Sequence, residues 1–279
     1  MDAKIWLDVI LAVAGAVYLL SVLWLVIGLH RPTPAPARLP LPALSIIVAA
    51  RNEEQALPAC LAALRGQSYA GEWEVIVVDD RSSDRTGELV EQMAQEWPAL
   101  SLVRASQQLV FRCPKKSALA QGIAAAKGEI LLFTDADCRP PSAWARETAA
   151  LFAKDVGLVA GHARPQRGFS FVQRLLALDN LAVGALGAGS FAMGKPLSCT
   201  GRNLAYRRQV YEELGGFSRI GHLVGGDDVY FMRLVTQSGR WRQVFNRSAA
   251  VSCLPVSAQW AQILHQKMRH AAKGGHYGG

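Results

Sequence analysis

Apolar positions along this chain come first as one unbroken block and then as short blocks alternating with amphipathic stretches. Residues Val9 to Leu29 read VILAVAGAVYLLSVLWLVIGL without a charge. At about 1.5 Å of rise per residue, a helix of that length crosses a hydrocarbon core of roughly 30 Å, so the block predicts a transmembrane helix. A cleaved signal peptide is the rival reading, but its apolar region runs to about 15 residues and is followed by a small-x-small site that is missing here. From His30 to Pro42 the sequence HRPTPAPARLPLP is proline-rich and aperiodic. It predicts an extended spacer that separates anchor from globule.

After the spacer, the apolar runs LSIIVAA (Leu44 to Ala50), EVIVVDD (Glu74 to Asp80), SLVRA (Ser101 to Ala105) and EILLFTD (Glu129 to Asp135) alternate with helical patterns. Those patterns lie near Gln55 to Arg65, Asp84 to Glu96 and Lys116 to Lys127. Strands apolar on both sides and separated by helices predict an α/β, Rossmann-like, mostly parallel sheet with helices on both faces. Ligands of such sheets bind beyond the carboxyl ends of the strands. From Leu158 the pattern becomes irregular. Residues Phe169 to Gly194 contain Gln173, Arg174, Asp179 and Asn180, too polar for a second span, and read instead as an interfacial helix pair. Near the end, VSAQWAQILHQKMRHAAK places Gln262, Gln266, Arg269 and Lys273 on one helical face, the pattern of an amphipathic interfacial helix. The expected organisation is an anchor over 1–30, a linker over 31–43, a folded domain over 44–255, and an interfacial helix with tail over 256–279.

Composition narrows the partners. The 279 residues are 51% hydrophobic and 19% charged, enough to bury one substantial core and still carry a membrane segment. The formal charge of +8 raises nucleic acid as a partner, but the basic residues are dispersed and have no interleaved aromatic stripe. Nucleic acid is therefore not expected; anionic lipid or a diphosphate suffices. Arg31 and Arg38 follow the apolar block, while Lys4 ahead of it is offset by Asp2 and Asp8. The positive-inside bias then puts the domain of this single-pass protein at the cytoplasmic face. Cys60, Cys113, Cys138, Cys199 and Cys253 are odd in number and form no C-x-x-C pair, which fits reduced thiols in the cytosol.

Three strand ends carry polar groups: Arg51-Asn52-Glu53, Asp79-Asp80 and Asp135-Ala136-Asp137. Asp135 and Asp137, at i and i+2 after a buried strand, can direct two carboxylates at one hard cation, Mg²⁺ or Mn²⁺, whose shell phosphate oxygens would complete. Two solvated loop aspartates are the plain alternative. Asp79 and Asp80 suit either turn chemistry or acceptance of a hydrogen bond from the imide N–H of a uracil or thymine ring, because carboxylates only accept. Asp84 is expected to cap the next helix.

The succession VAARNEE, VVDDRSSDRT, KKSALAQGIAAAKGEILLFTDADC, TGRNLAYRR, GGDDVYFMRL and QKMRH resembles glycosyltransferase family 2, over roughly Leu44 to His270. The resemblance implies a GT-A fold, a nucleotide diphosphate-sugar donor, a divalent cation at the D-x-D motif and inversion at the anomeric carbon. By that likeness Glu53 and Asp80, with Asp79 beside it, would hold the nucleoside, and Lys115 would lie near the donor phosphates. Asp227 and Asp228 match the family's acidic pair, whose second carboxylate, Asp228 here, would be the general base. Gln266 and Arg269 match Q-x-x-R of the family's Q-x-x-R-W, where the arginine approaches the diphosphate. Two positions depart from the pattern: Asp227 replaces the usual Glu, and His270 replaces the Trp of the acceptor-side wall.

Among function classes, transfer of one sugar, from UDP-sugar as the expected donor, to a membrane lipid or lipid-linked acceptor fits the anchor and the interfacial stretches best. A processive polysaccharide synthase would need several spans for its pore, and this sequence shows one. A nucleotidyltransferase would carry a glycine-rich basic loop where VAARNEE stands. A non-catalytic scaffold would be expected to lose Asp135, Asp137 or Asp228, and all three remain. Many membrane members of the family continue with further hydrophobic helices where this sequence stops at Gly279, so a fragment and a short natural form both stay open.

Overall fold

Helix α1 (Ala3–His30) is followed by strand β1 (Leu44–Ala50), which lies near the middle of an eight-stranded sheet. The computed structural model describes residues 3–34, 40–166, 168, 170–254, 264 and 268. On one side of β1 lie β2 (Trp73–Asp79) and then β3 (Leu100–Arg104); on the other lies β4 (Ile130–Asp135), all parallel. The sheet continues through β7 (Leu204–Arg207), β6 (Val156–Pro165), β8 (Arg242–Cys253) and the two-residue β5 (Cys138–Arg139). Four of the seven pairings are parallel; β4–β7, β6–β7 and β5–β8 are antiparallel.

Side chains alternate between two cores with the period of two that a strand imposes. Leu44, Ile46 and Val48 face one core, with α2 (Leu57–Arg65), Val90 of α3 (Thr86–Gln95) and Trp144 of α5 (Trp144–Ala149). Ile47, Ile76, Val78, Leu131 and Phe133 face the other, with α4 (Pro114–Ala125), Val210 of α7 (Arg208–Glu213) and α8 (Val229–Ser238). Pro114 opens α4, where a missing N–H costs nothing, and Gly239, at φ 62°, closes α8 in the left-handed conformation. The connections through α2 and α3 use one face and the connection through α4 uses the other, so the winding reverses between β1 and β4. The carboxyl ends of those two strands flank the crevice where sheets of this kind bind ligands.

Residues 171–192 form one continuous helix, α6 (Phe171–Ala192), where an interfacial helix pair was expected. Gln173, which counted as a polar interruption, is consumed at its start: Ser170 Oγ accepts from the Gln173 N–H at 3.2 Å, and Gln173 Oε1 accepts from the Ser170 N–H at 3.2 Å. Among the described residues, two helices are thus long and apolar enough to cross a membrane, residues 4–30 and 171–192. They touch where Gly28 meets Gly189: a Cβ on Gly28 would stand 2.2 Å from the Gly189 carbonyl oxygen, so only glycine permits the crossing. Of the expected amphipathic helix near the end, only Leu264 and Met268 are described, both helical and exposed.

The end of α1 is tied to the domain and not held off by the spacer. Arg247 on β8 donates from Nη1 to the carbonyls of Leu29 (2.7 Å) and Arg31 (3.1 Å), and from Nη2 to Gly28 (2.9 Å). Gly28 and Leu29 lie in the last turn of α1, where carbonyls run out of helical N–H donors, and the Gly28 carbonyl also accepts from the Arg31 N–H at 3.2 Å. Arg31 in turn donates to the carbonyl of Ala192, the last residue of α6, at 3.3 Å. Arg247→Ala is expected to weaken this docking by about 1 kcal/mol, the net worth of hydrogen bonds to part-buried acceptors. Amide hydrogen exchange would show it as faster exchange over residues 26–31 with the sheet core unchanged; identical protection at 26–31 would refute the tie.

Candidate active site

The loops after β1 and β2 are laced to each other. Asn52, at φ 56°, accepts from the Ser83 N–H at 2.8 Å through its Oδ1 and donates its own N–H to Ser82 Oγ at 3.0 Å. The Glu53 N–H reaches Thr86 Oγ1 at 2.8 Å, and the Glu54 N–H reaches Asp84 Oδ2 at 3.1 Å. Asp84 stands one residue ahead of the formal cap of α3, Arg85, and bridges the two loops while it accepts from the Thr86 N–H at 3.0 Å. Lacing fixes the crevice rim before any ligand arrives.

Asp79 and Asp80 are both buried but have different work. Asp79 accepts from the Ser82 N–H at 2.9 Å and lies 3.7 Å from Arg104, so it closes the turn. Asp80 directs one oxygen, Oδ1, at the Arg81 guanidinium, and no described residue donates to its Oδ2. Glu53 sits closer in charge terms to the D-x-D motif than to Asp80: burial, and after it Asp137 and Asp135, push its carboxyl above the ordinary range.

Asp135 ends β4, and Lys115, in the first turn of α4, donates to its Oδ1 at 2.7 Å. Arg202, just before β7, lies 3.5 Å from its Oδ2. Burial works to raise the Asp135 pKa, but Lys115 and Arg202 outweigh it and hold the carboxyl below its ordinary value. Lys115 also lies 3.9 Å from Asp227 Oδ2. Burial works against its charge, yet Asp135, Asp227 and Asp228 hold the ammonium protonated far above its ordinary range. Asp227 is raised, by burial first, then by Asp228 and Asp135 against the opposing pull of Lys115. Asp228 caps α8, its Oδ1 accepting from the Val229 N–H at 2.8 Å and its Oδ2 from the Gly201 N–H at 3.1 Å. A water-sized cavity of about 10 Å³ lies among Lys115, Thr134, Asp135, Gly201 and Asp227.

The structure therefore brings Lys115, Asp135, Asp227 and Asp228 together, with Glu53 and Asp137 within electrostatic reach of Asp135 and its neighbours. Gln266, Arg269 and His270 lie outside the described residues. Arg202 had no assigned role in the sequence; its place inside TGRNLAYRR was the available signal. Behind the motif, Cys138 and Cys253 are free thiols with sulfurs 3.0 Å apart, and burial pushes the Cys60 thiol up to about 12.

The donor set suits a hard cation held sparingly. Among the described residues no three His, Cys, Asp or Glu side chains group closely enough to hold a metal on their own. Asp135 and Asp137 supply carboxylate oxygens, which suit Mg²⁺ or Mn²⁺ when a phosphate-bearing substrate provides further ligands.

A family model for glycosyl transferase family 2 matches residues 45–215, more than half of the chain. The chain belongs to that family. Glycosyltransferase AglE of Haloferax volcanii is 29% identical over 203 residues, covering 71% of this chain and 63% of the relative. Beta-monoglucosyldiacylglycerol synthase of Trichormus variabilis is 36% identical over 121 residues, covering 43% of this chain and 25% of the relative. The chain thus spans less than two thirds of either protein's length. Among solved structures, mannosyltransferase PcManGT from Pyrobaculum calidifontis, in complex with GDP-Man and Mn²⁺, matches with a TM-score of 0.74 at 25% identity. That match covers 96% of this chain and 75% of the other, and the family's GT-A architecture is the one seen here.

Lys115→Met is expected to raise the Asp135 pKa by removing its strongest lowering partner. A depressed carboxyl contributes stability that is present above its unfolded pKa and lost as pH falls through its folded one. The wild type should therefore exceed Lys115→Met by up to about 1 kcal/mol near pH 7, the upper end for partly exposed pairs, with the gap closing in acid. Denaturant melts at neutral pH and below pH 3 check this; a gap that widened in acid would contradict it.

Proposed function

We propose that this chain transfers a single sugar from a nucleotide diphosphate-sugar, UDP-sugar in the simplest reading, to a membrane lipid or lipid-linked acceptor. The observation that carries it is the convergence of Lys115, Asp135 and the Asp227-Asp228 pair at the crevice beside β1 and β4, in a chain with two membrane-length apolar helices. The similar Pyrobaculum structure holds GDP-Man and Mn²⁺, which supports a nucleoside diphosphate donor and a divalent cation. The similar diacylglycerol-glycosylating relative supports a lipid acceptor. Asp80, with Oδ2 unengaged among the described residues, accepts from the base N–H; an acceptor there suits the uracil imide. α1 acts as the span, and the arginines that follow it put the domain at the cytoplasmic face.

In the transfer, the acceptor oxygen forms a bond to the anomeric carbon as the bond from that carbon to the diphosphate oxygen breaks, with inversion. Asp228 takes the acceptor's hydroxyl proton. Its two oxygens each accept a backbone N–H, from Val229 and from Gly201, which fixes the carboxylate in direction. Lys115, beside Asp135, would meet the donor phosphates, and Asp135 and Asp137 would hold the cation. When bound, Mg²⁺ or Mn²⁺ neutralises charge on the leaving diphosphate.

Asp228→Asn is expected to leave donor affinity intact and to slow single-turnover transfer by about 10² to 10⁴, the usual loss for a general base. Asn caps a helix nearly as well as Asp, so α8 should survive the change. Asp227→Asn should cost less. Single-turnover assays with matched nucleotide titrations decide it: a dead Asp227→Asn beside an active Asp228→Asn would move the base to Asp227.

A further inference from the structure

At the opposite end of α8 from Asp228, roughly 15 Å along a ten-residue helix, lies a cavity of about 760 Å³. It opens where the C-terminal ends of α1 and α6 meet the start of β8, and its lining includes Arg31, Phe191, Trp241, Gln243, Phe245 and Arg247. Its volume is that of a small-molecule site.

Gln243 is the polar residue of its wall that the fold leaves incomplete. It is 8% exposed, and its Nε2 donates to Thr236 Oγ1 at 2.7 Å and to the Met232 carbonyl at 3.3 Å. Its buried Oε1 has no partner among the described residues. A native interior seldom leaves such an acceptor unmet. The charged residues are likewise under-used. A guanidinium carries five N–H donors. Arg247 commits two hydrogen bonds to α1 carbonyls and one to the Arg31 carbonyl just after it, Arg31 commits one to Ala192, and neither side chain meets a carboxylate among the described residues. Phe191 and Phe245, with ring centroids 5.6 Å apart, supply an apolar wall.

We propose that this cavity binds the phosphodiester headgroup of an anionic membrane lipid, with phosphatidylglycerol as the simplest candidate, at a site separate from the catalytic crevice. The phosphate accepts from the spare donors of Arg31 and Arg247, both in the cavity lining, and the glycerol backbone lies against the Phe191 and Phe245 wall. The cavity's place at the foot of α1 is what selects a lipid over a free phosphate ester: α1 exposes apolar side chains along most of its length. The inference rests on the reading of α1 as a membrane helix and does not depend on the assignment of the base or the donor.

Native mass spectrometry of the full chain released from detergent, titrated with phosphatidylglycerol or phosphatidylcholine, tests it. Phosphatidylglycerol should be retained in preference, and Arg31→Gln should weaken it about fivefold, the effect of one basic side chain at an anionic surface. Ala192→Phe fills the cavity without removing a hydrogen bond and should abolish the preference. Asp135→Asn, in the crevice, should leave lipid retention unchanged, which separates this site from the donor site. Equal retention of both lipids, or wild-type retention in both cavity variants, overturns the site. Should Ala192→Phe fail to melt cooperatively, the exposed Arg31→Gln carries the test by itself. Competition by soluble glycerophosphoglycerol at the same concentration as the lipid overturns the lipid assignment in favour of a free phosphodiester.

Discussion

Asp135 at the end of β4 and the Asp227-Asp228 pair before α8 come together at one crevice, and these carboxylates repel each other unless something positive stands between them. Lys115 does so, 2.7 Å from Asp135 and 3.9 Å from Asp227. Its position follows from the start of α4, where Pro114 presets the first turn and the helix packs on the face of β1 and β2. The arrangement is self-consistent only with the ammonium charged, which is the state its carboxylate neighbours enforce against burial. A diphosphate entering the crevice would offer the same ammonium a second set of anionic oxygens.

The mixed half of the sheet serves this pairing. β7 runs antiparallel between β4 and β6, and so returns Gly201 and Arg202 to the end of β4. Arg202 then approaches Asp135, and the Gly201 N–H reaches Asp228. A fully parallel sheet would need a long crossover at that position and would put the loop before β7 at the opposite edge. The Cys138–Cys253 pair of β5 and β8 closes the far side of the D-x-D loop. Rigidity here is distributed over backbone N–H donors and short strands, which fix the direction of both Asp228 oxygens.

Helix α1 belongs mechanically to the domain. Its final carbonyls are capped by Arg247 from β8, its Gly28 crosses α6 at Gly189, and α6 itself begins beyond the end of β6 on the crevice side and finishes beside the helix foot. The orientation of the crevice relative to α1 is therefore set by packed contacts and guanidinium–carbonyl bonds more than by the proline spacer. A lipid-facing acceptor site and a fixed tilt of the domain would follow from the same few contacts.

Much of this was legible along the chain because it is local or periodic. Unbroken apolar runs determine β1, β2 and β4, since a strand covered on both faces can tolerate no polar side. The i, i+2 carboxylates at the end of β4 and the long apolar block of α1 likewise need no knowledge of the rest. What only the tertiary structure decided depends on partners distant in sequence. Arg247 meets Leu29 across 218 positions, and no periodicity encodes that meeting. Asp79 and Asp80 are chemically identical neighbours, yet Ser82 and Arg104 draw one into the turn while Arg81 engages only one oxygen of the other. The polar residues of α6 argued against a second span, and Gln173 among them proved to be half of the helix's cap. In each case composition and spacing state which groups a residue can bond, whereas the fold decides which of them it meets, because hydrogen bonds and ion pairs act over a few ångströms and chain distance does not measure that.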